Sequence, residues 1–122
     1  MPKHILLVDN SAVIRAATRR FLENQPGFEV CGEATDGFEA LEQALHLNPD
    51  LIILDLAMPR MNGFEAAREL RARMSRVPII LFTWYADVVR PIDAAAAGIS
   101  VVISKSNPAG LQTGLNTLFA AA

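Results

Sequence analysis

The chain has 122 residues, of which 52% are hydrophobic, and its formal net charge is −2. This length suits a single domain over residues 1–122, large enough to bury a core without disulfides or structural metals. The charge gives no indication of nucleic acid or an anionic membrane as a partner, and the single cysteine, Cys31, excludes an internal disulfide.

Short apolar runs alternate with helical patterns through the first half of the chain. Residues 5–8 predict a buried strand, and Ser11 can cap the amphipathic helix that follows. Residues 28–34 nearly alternate apolar and acidic side chains, which predicts an edge strand with one wetter face. The two sets are Phe28, Val30 and Gly32 against Glu29, Cys31 and Glu33. Asp36 then caps a second helix, which the Asn-Pro pair at residues 48–49 stops.

The middle of the chain contains its most apolar short run. Residues 51–54 predict a central strand, because such strands are apolar on both faces, and this strand ends at Asp55. A loop over residues 56–62 leads to Gly63 and a third helix.

Two further strands follow with the same organisation. Residues 79–82 predict a buried strand that ends at Thr83, and an alanine-rich helix is expected over residues 87–97. Residues 101–103 predict the fifth strand, with Lys105 just beyond it.

The last helix is expected to begin at residues 107–108, with Asn as cap and Pro in the first turn. Five strand–helix units predict an α/β fold with a doubly wound parallel sheet and helices on both faces. Ligands of such sheets bind beyond the carboxyl ends of the strands.

Polar residues stand at four of the five strand ends, which a parallel sheet brings to one edge. They are Asp9 with Asn10, Asp55, Thr83 and Lys105. Two nearby carboxylates favour a bound cation, and Mg²⁺ suits oxygen ligands. A carboxylate can also attack phosphorus, with an ammonium and a hydroxyl to hold the phosphoryl oxygens.

Residues 55–63, Asp-Leu-Ala-Met-Pro-Arg-Met-Asn-Gly, resemble the phosphoacceptor loop of response-regulator receiver domains, which has the form D-x-x-M-P-x-x-[DN]-G. Asp9, Thr83 and Lys105 match the same family at other strand ends, so the resemblance covers nearly the whole chain. It implies strand order 2-1-3-4-5 and a signalling module rather than an enzyme.

The resemblance also implies a role for each site residue. Asp55 would accept a phosphoryl group from the phosphohistidine of a histidine kinase, with Thr83 and Lys105 assisting. Mg²⁺ would be held by Asp9, Asn10, Asp55 and the backbone carbonyl of Ala57.

The expected partners are a histidine kinase or phosphotransfer protein and a downstream protein that binds at about residues 87–122. A homodimer is left open, and neither nucleic acid nor a membrane is expected to bind this domain. The N-terminus lacks a signal-peptide pattern and no apolar stretch reaches the ~18 residues of a membrane span, so a cytoplasmic location is expected.

Four positions depart from the family pattern. Asn10 replaces a second acid and should weaken metal binding, and Trp84 replaces a small residue, where it could crowd the site or cover it. Val102 replaces an aromatic residue that moves with the threonine in many members. Ser106 replaces a proline, so a trans peptide bond after Lys105 is expected.

Two other functions stay open. A degenerate receiver would act as a protein-interaction module without phosphorylation. A phosphohydrolase with an aspartate nucleophile would need an acid two residues after Asp55, where this chain has Ala57.

Overall fold

Strands and helices alternate along residues 1–120, the part of the chain that the computed structural model describes. The strands are β1 (Lys3–Val8), β2 (Phe28–Ala34), β3 (Leu51–Leu54), β4 (Ile79–Thr83) and β5 (Val101–Ser104). The helices are α1 (Ala12–Glu23), α2 (Gly37–Leu47), α3 (Gly63–Arg73), α4 (Pro91–Ala96) and α5 (Gly110–Leu118).

The five strands form one parallel sheet in the order β2-β1-β3-β4-β5. This confirms the predicted doubly wound α/β fold and its strand order. The central strand β3 is buried along its whole length, which agrees with its uninterrupted apolar sequence.

Each face of the sheet carries its own apolar layer. Helices α2, α3 and α4 pack on one face, which includes Leu6, Val8 and Leu54. Helices α1 and α5 pack on the other face, with Ile5, Leu7, Leu22, Ile53 and Leu115. Both layers end at the edge of the sheet where the parallel strands have their carboxyl ends, which is called the rim below.

Strand β2 differs from the expected alternation, because it contains a bulge. Ile5 pairs with Val30 but Leu6 pairs with Gly32, so Cys31 is the extra residue. Beyond it the faces are exchanged: Glu33 lies opposite Leu7, in the layer of α1. An inserted residue shifts a strand by one step and reverses its later side chains.

The predicted caps of the first two helices are confirmed. The Ser11 side chain accepts a hydrogen bond from the Ile14 N–H, and the Asp36 side chain accepts one from the Glu39 N–H. Asn48, in the left-handed region at φ 48°, ends α2 as expected.

The helix predicted over residues 87–97 is wrong at its start. A short 3-10 helix occupies Ala86–Val88, and α4 begins only at Pro91. Proline disfavours helical geometry in the residue before it, and Arg90 is extended at ψ 137°.

Helix α5 also begins later than predicted, at Gly110, with Ala109 rather than Asn107 as its N-cap residue. Tight-turn hydrogen bonds precede it, from Gly110 N–H to the Asn107 carbonyl (3.0 Å) and from Leu111 N–H to the Pro108 carbonyl (3.0 Å). Within residues 1–120, no helix combines the length and apolar character needed to cross a membrane.

Candidate phosphoacceptor site

Asp9, Asp55 and Lys105 meet at the carboxyl-terminal rim of the sheet. The Lys105 Nζ lies 2.6 Å from Asp9 Oδ2 and 3.2 Å from Asp55 Oδ2. All three residues are buried, with 3%, 5% and 7% of their surface exposed for Asp9, Asp55 and Lys105. Residues that lie far apart in the sequence therefore form one charged cluster, as the strand-end pattern predicts.

Asp9 is held at four atoms. Its N–H donates to the Ala34 carbonyl (3.0 Å), and its Oδ1 accepts from the Ser11 N–H (2.9 Å). Its carbonyl accepts from Arg15 Nη1 (2.6 Å), while Oδ2 faces Lys105. This residue therefore has little freedom to turn its carboxylate.

The loop after Asp55 returns closely to the strand end. The Gly63 N–H donates to the Leu56 carbonyl (2.8 Å), and a Cβ at position 63 would lie 2.4 Å from the Asp55 carbonyl oxygen. Glycine is needed here for this close approach. Asn62 and Glu65 complete a reciprocal capping box that begins α3.

Thr83 lies fully buried beside Lys105. Its carbonyl accepts from the Lys105 N–H (3.0 Å), and its Oγ1 accepts from the Tyr85 N–H (3.1 Å). The hydroxyl therefore keeps its own hydrogen available for a ligand oxygen.

Burial and two charged neighbours shift the pKa of the Asp55 carboxyl in opposing directions. Burial raises its pKa above the ordinary value, the Lys105 ammonium opposes that rise, and the Asp9 carboxylate adds to it. A cation beside Asp55 would therefore favour the ionised form that a nucleophile requires.

The donor set at this rim fits a hard divalent cation. Two carboxylates share one ammonium, which leaves an excess of negative charge, and Asn10 and Ala57 are exposed beside them. Carboxylate, amide and carbonyl oxygens are ligands that Mg²⁺ accepts. Within residues 1–120 no group of three or more His, Cys, Asp or Glu side chains is placed to hold a metal.

The other departures from the family pattern occupy distinct places. Trp84 is 58% exposed, so its indole does not fill the buried site. Val102 is half-buried and packs in the layer of α2, α3 and α4. The predicted trans bond between Lys105 and Ser106 is confirmed, and Ser106 Oγ lies 2.6 Å from Ser104 Oγ.

Sequence reasoning missed the supporting residues Arg15, Glu33 and Arg60. Arg60 adopts φ 67° in the loop after Asp55, pairs with Asp36 and lies over the Phe38 ring. No local pattern signals these contacts, because each joins segments that are distant in sequence.

Comparison with known proteins identifies the family of this chain. A family model described as the response regulator receiver domain matches residues 5–115. A protein-glutamate methylesterase/protein-glutamine glutaminase of Nocardioides sp. is 40% identical over 103 residues, which are 83% of this chain and 28% of that protein. The transcriptional regulatory protein LiaR of Bacillus subtilis is 36% identical over 105 residues, 86% of this chain and 50% of LiaR. The chain thus spans half or less of these two relatives.

Solved structures share the whole fold. The response regulator domain of Thermotoga maritima CheB has a TM-score of 0.90 at 26% identity, covering 100% of this chain and 99% of that one. The response regulator TrrA of Thermotoga maritima, solved in complex with Mg²⁺ and BeF, has a TM-score of 0.85 at 33% identity, covering 95% and 98%. The chain therefore belongs to the response regulator receiver domain family of two-component signal transduction.

Proposed function

We propose that this chain accepts a phosphoryl group on Asp55 from the phosphohistidine of a histidine kinase or phosphotransfer protein. The observation that carries this proposal is the buried cluster of Asp9, Lys105 and Asp55, with one ammonium 2.6 Å and 3.2 Å from the two carboxylates. A cluster buried at this cost in hydration is typical of a functional site.

In the proposed transfer, an Asp55 carboxylate oxygen attacks phosphorus. The phosphorus–nitrogen bond of the phosphohistidine breaks, its electron pair stays on the imidazole, and an acyl phosphate forms on Asp55. The strand end and the Gly63 turn hold Asp55 in place while its carboxylate faces the rim.

Mg²⁺ is the proposed cofactor, and when bound it supplies positive charge to the phosphoryl oxygens. Asp9, Asn10, Asp55 and the Ala57 carbonyl are the proposed ligands. The relative TrrA, which was solved with Mg²⁺ and BeF, supports Mg²⁺ as the cofactor, because it is similar over 95% of the chain.

Lys105 and Thr83 are proposed to hold the transferred group. The Lys105 ammonium already lies 3.2 Å from Asp55 Oδ2, so it can neutralise a phosphoryl oxygen added there. The Thr83 hydroxyl can donate a hydrogen bond to such an oxygen.

The proposed output is a change of the partner-binding surface at about residues 87–122, of which 121 and 122 lie outside the described residues. A downstream protein would bind there, and a homodimer remains an alternative use of the surface. We propose that residues 1–122 act as one cytoplasmic receiver domain that does not itself bind nucleic acid or a membrane.

Intact-mass measurement after incubation with acetyl phosphate and Mg²⁺ tests the assignment. The expected result is one added phosphoryl group on the native chain, none on Asp55→Asn, and one on the control Asp87→Asn, whose carboxylate is exposed on the 3-10 helix. No added mass at high donor and metal concentrations would instead support a receiver that signals by binding alone.

A further inference from the structure

We propose that Arg15, oriented by Glu33, is a positioning residue that fixes the backbone at Asp9 and Asn10. Its consequence for metal affinity rests on the proposed function, whereas its consequence for the backbone does not. Two observations support the proposal. The Arg15 side chain contacts both the end of β1 and strand β2, and the bulge in β2 places Glu33 within its reach.

The Arg15 guanidinium donates hydrogen bonds to both a backbone carbonyl and a carboxylate. Its Nη1 donates to the Asp9 carbonyl at 2.6 Å, and its Nε donates to Glu33 Oε1 at 2.9 Å. The Arg15 side chain is 17% exposed and the Glu33 side chain 31%. The planar guanidinium is rigid, so the Glu33 contact sets the direction from which Arg15 reaches Asp9.

Glu33 can serve Arg15 only because of the bulge at Cys31. If Cys31 paired with Leu6 in a regular ladder, Glu33 would fall opposite Val8 and face the layer of α2, α3 and α4. Because the bulge leaves Cys31 out of the ladder, Glu33 lies opposite Leu7, on the same face as α1. The bulge in β2 therefore places the Glu33 carboxylate within hydrogen-bonding distance of Arg15.

The charge of Arg15 is balanced locally. Glu33 also pairs with Arg19, which in turn lies 3.4 Å from Glu23, so two arginines face two acids. Since this network carries little net charge, Arg15 influences the site through geometry rather than through its electrostatic field.

Holding one carbonyl oxygen constrains two candidate ligands. The peptide unit from Asp9 to Asn10 is planar, so a fixed Asp9 oxygen also fixes the direction in which Asn10 begins. The Asp9 side chain is attached to the Cα atom at the start of the same peptide unit, and its Oδ1 accepts a hydrogen bond from the Ser11 N–H. Arg15 therefore sets the relative placement of the Asp9 carboxylate and the Asn10 amide.

The test compares Arg15→Met with Arg19→Met. Arg19 shares Glu33 but donates to Glu33 and Glu23 rather than to Asp9, so it is a matched control. Amide hydrogen exchange is measured in EDTA at Ser11, whose N–H donates to Asp9 Oδ1, and Mg²⁺ affinity is measured by calorimetry. Loss of a charged hydrogen bond predicts about tenfold faster exchange and about tenfold weaker Mg²⁺ binding for Arg15→Met, with less than about twofold change for Arg19→Met.

Equal exchange at Ser11 in the two variants would overturn the inference, as would equal Mg²⁺ affinities. If the native chain bound no Mg²⁺, the proposed function would fail while the exchange data still decided the role of Arg15. Should Arg15→Met fail to fold, Arg15→Lys keeps the charge without the fork, and unchanged exchange in that variant would refute the proposal.

Discussion

Two carboxylates and one ammonium share the buried end of the sheet, and their formal charges sum to −1. Lys105 satisfies Asp9 and Asp55 together, at 2.6 Å and 3.2 Å, so it acts as an internal counter-ion. A third acid at position 10 would make the sum −2, and Asn10 avoids this. The residue that is expected to weaken the proposed metal site thus also lowers the repulsion in the metal-free chain.

Asn10→Asp should therefore change metal affinity and stability in opposite directions. A further anionic ligand is expected to tighten Mg²⁺ binding about tenfold, because ligand charge helps set affinity. In EDTA the same change should lower the melting temperature, since another carboxylate joins the cluster. Calorimetry and thermal unfolding measure the two effects, and Asn116→Asp on the exposed face of α5 is the control. Unchanged Mg²⁺ affinity would show that position 10 does not contact the metal.

Glu33 should contribute stability that depends on pH. Burial alone would raise its pKa, but hydrogen bonds from Arg19 and Arg15 hold the pKa below its ordinary value. A carboxyl with a lowered pKa stabilises the fold above its unfolded pKa of about 4.3 and loses that contribution as pH falls through the folded value. Glu33→Gln should cost about 1 kcal/mol of unfolding free energy at pH 7.

Urea unfolding of the native chain and Glu33→Gln at several pH values measures this dependence. The difference between them should shrink steadily as pH falls below about 4.3. A difference that stayed constant with pH would mean that packing, and not the ionised carboxylate, accounts for the effect.

At the scale of elements, helix α3 is joined to the site by its first residue. Its capping box at Asn62 supplies the usual N-terminal hydrogen bonds, whereas Gly63 supplies only space. A substitution at Asn62 therefore tests the stability of α3, whereas a substitution at Gly63 tests the geometry of the site, although the two residues are neighbours in the sequence.

Gly63→Ala should damage the site more than Asn62→Ala does. The new Cβ would stand 2.4 Å from the Asp55 carbonyl oxygen, so the start of α3 must move, at about 1–3 kcal/mol. Loss of the Asn62 cap should cost about 1 kcal/mol without moving Asp55. Phosphorylation by acetyl phosphate, followed by intact mass, should fall strongly in Gly63→Ala only; equal yields in both variants would contradict this account.

For the whole molecule, metal binding should be visible as stability. A ligand at 100 times its dissociation constant adds about 2.7 kcal/mol to the native state, which corresponds to roughly 10 °C in a domain of this size. Thermal unfolding with Mg²⁺ should show this rise in the native chain but not in Asp55→Asn. The control is NaCl at equal ionic strength, and an equal rise in both proteins would place the cation elsewhere.

Much of this architecture follows from patterns that the sequence displays locally. Buried parallel strands such as residues 51–54 are apolar throughout, and parallel strands bring Asp9, Asp55 and Lys105 to one rim. The predicted start of α4 is wrong, because the effect of Pro91 on the preceding residue outweighs the alanine-rich helical pattern.

The supporting shell could not be predicted in the same way. The Arg15–Glu33 contact joins residues 18 positions apart. It also depends on the bulge in β2, which the amino-acid pattern of that strand does not reveal. Such contacts arise from tertiary packing and leave no periodic signal.

The bulge also determines which changes β2 can accept. Cys31 contributes one step along the strand, and that step reverses the direction of every later side chain. Deleting Cys31 would leave Gly32 opposite Leu6 and Glu33 opposite Leu7 in a ladder without a bulge, whereas pairing Cys31 with Leu6 in a regular ladder would turn Glu33 away from α1 and Gly32 away from Leu47. In this strand, a relative that is one residue shorter at position 31 can therefore keep the same acid beside α1, so a gap in an alignment at this point does not imply a change at the rim of the sheet.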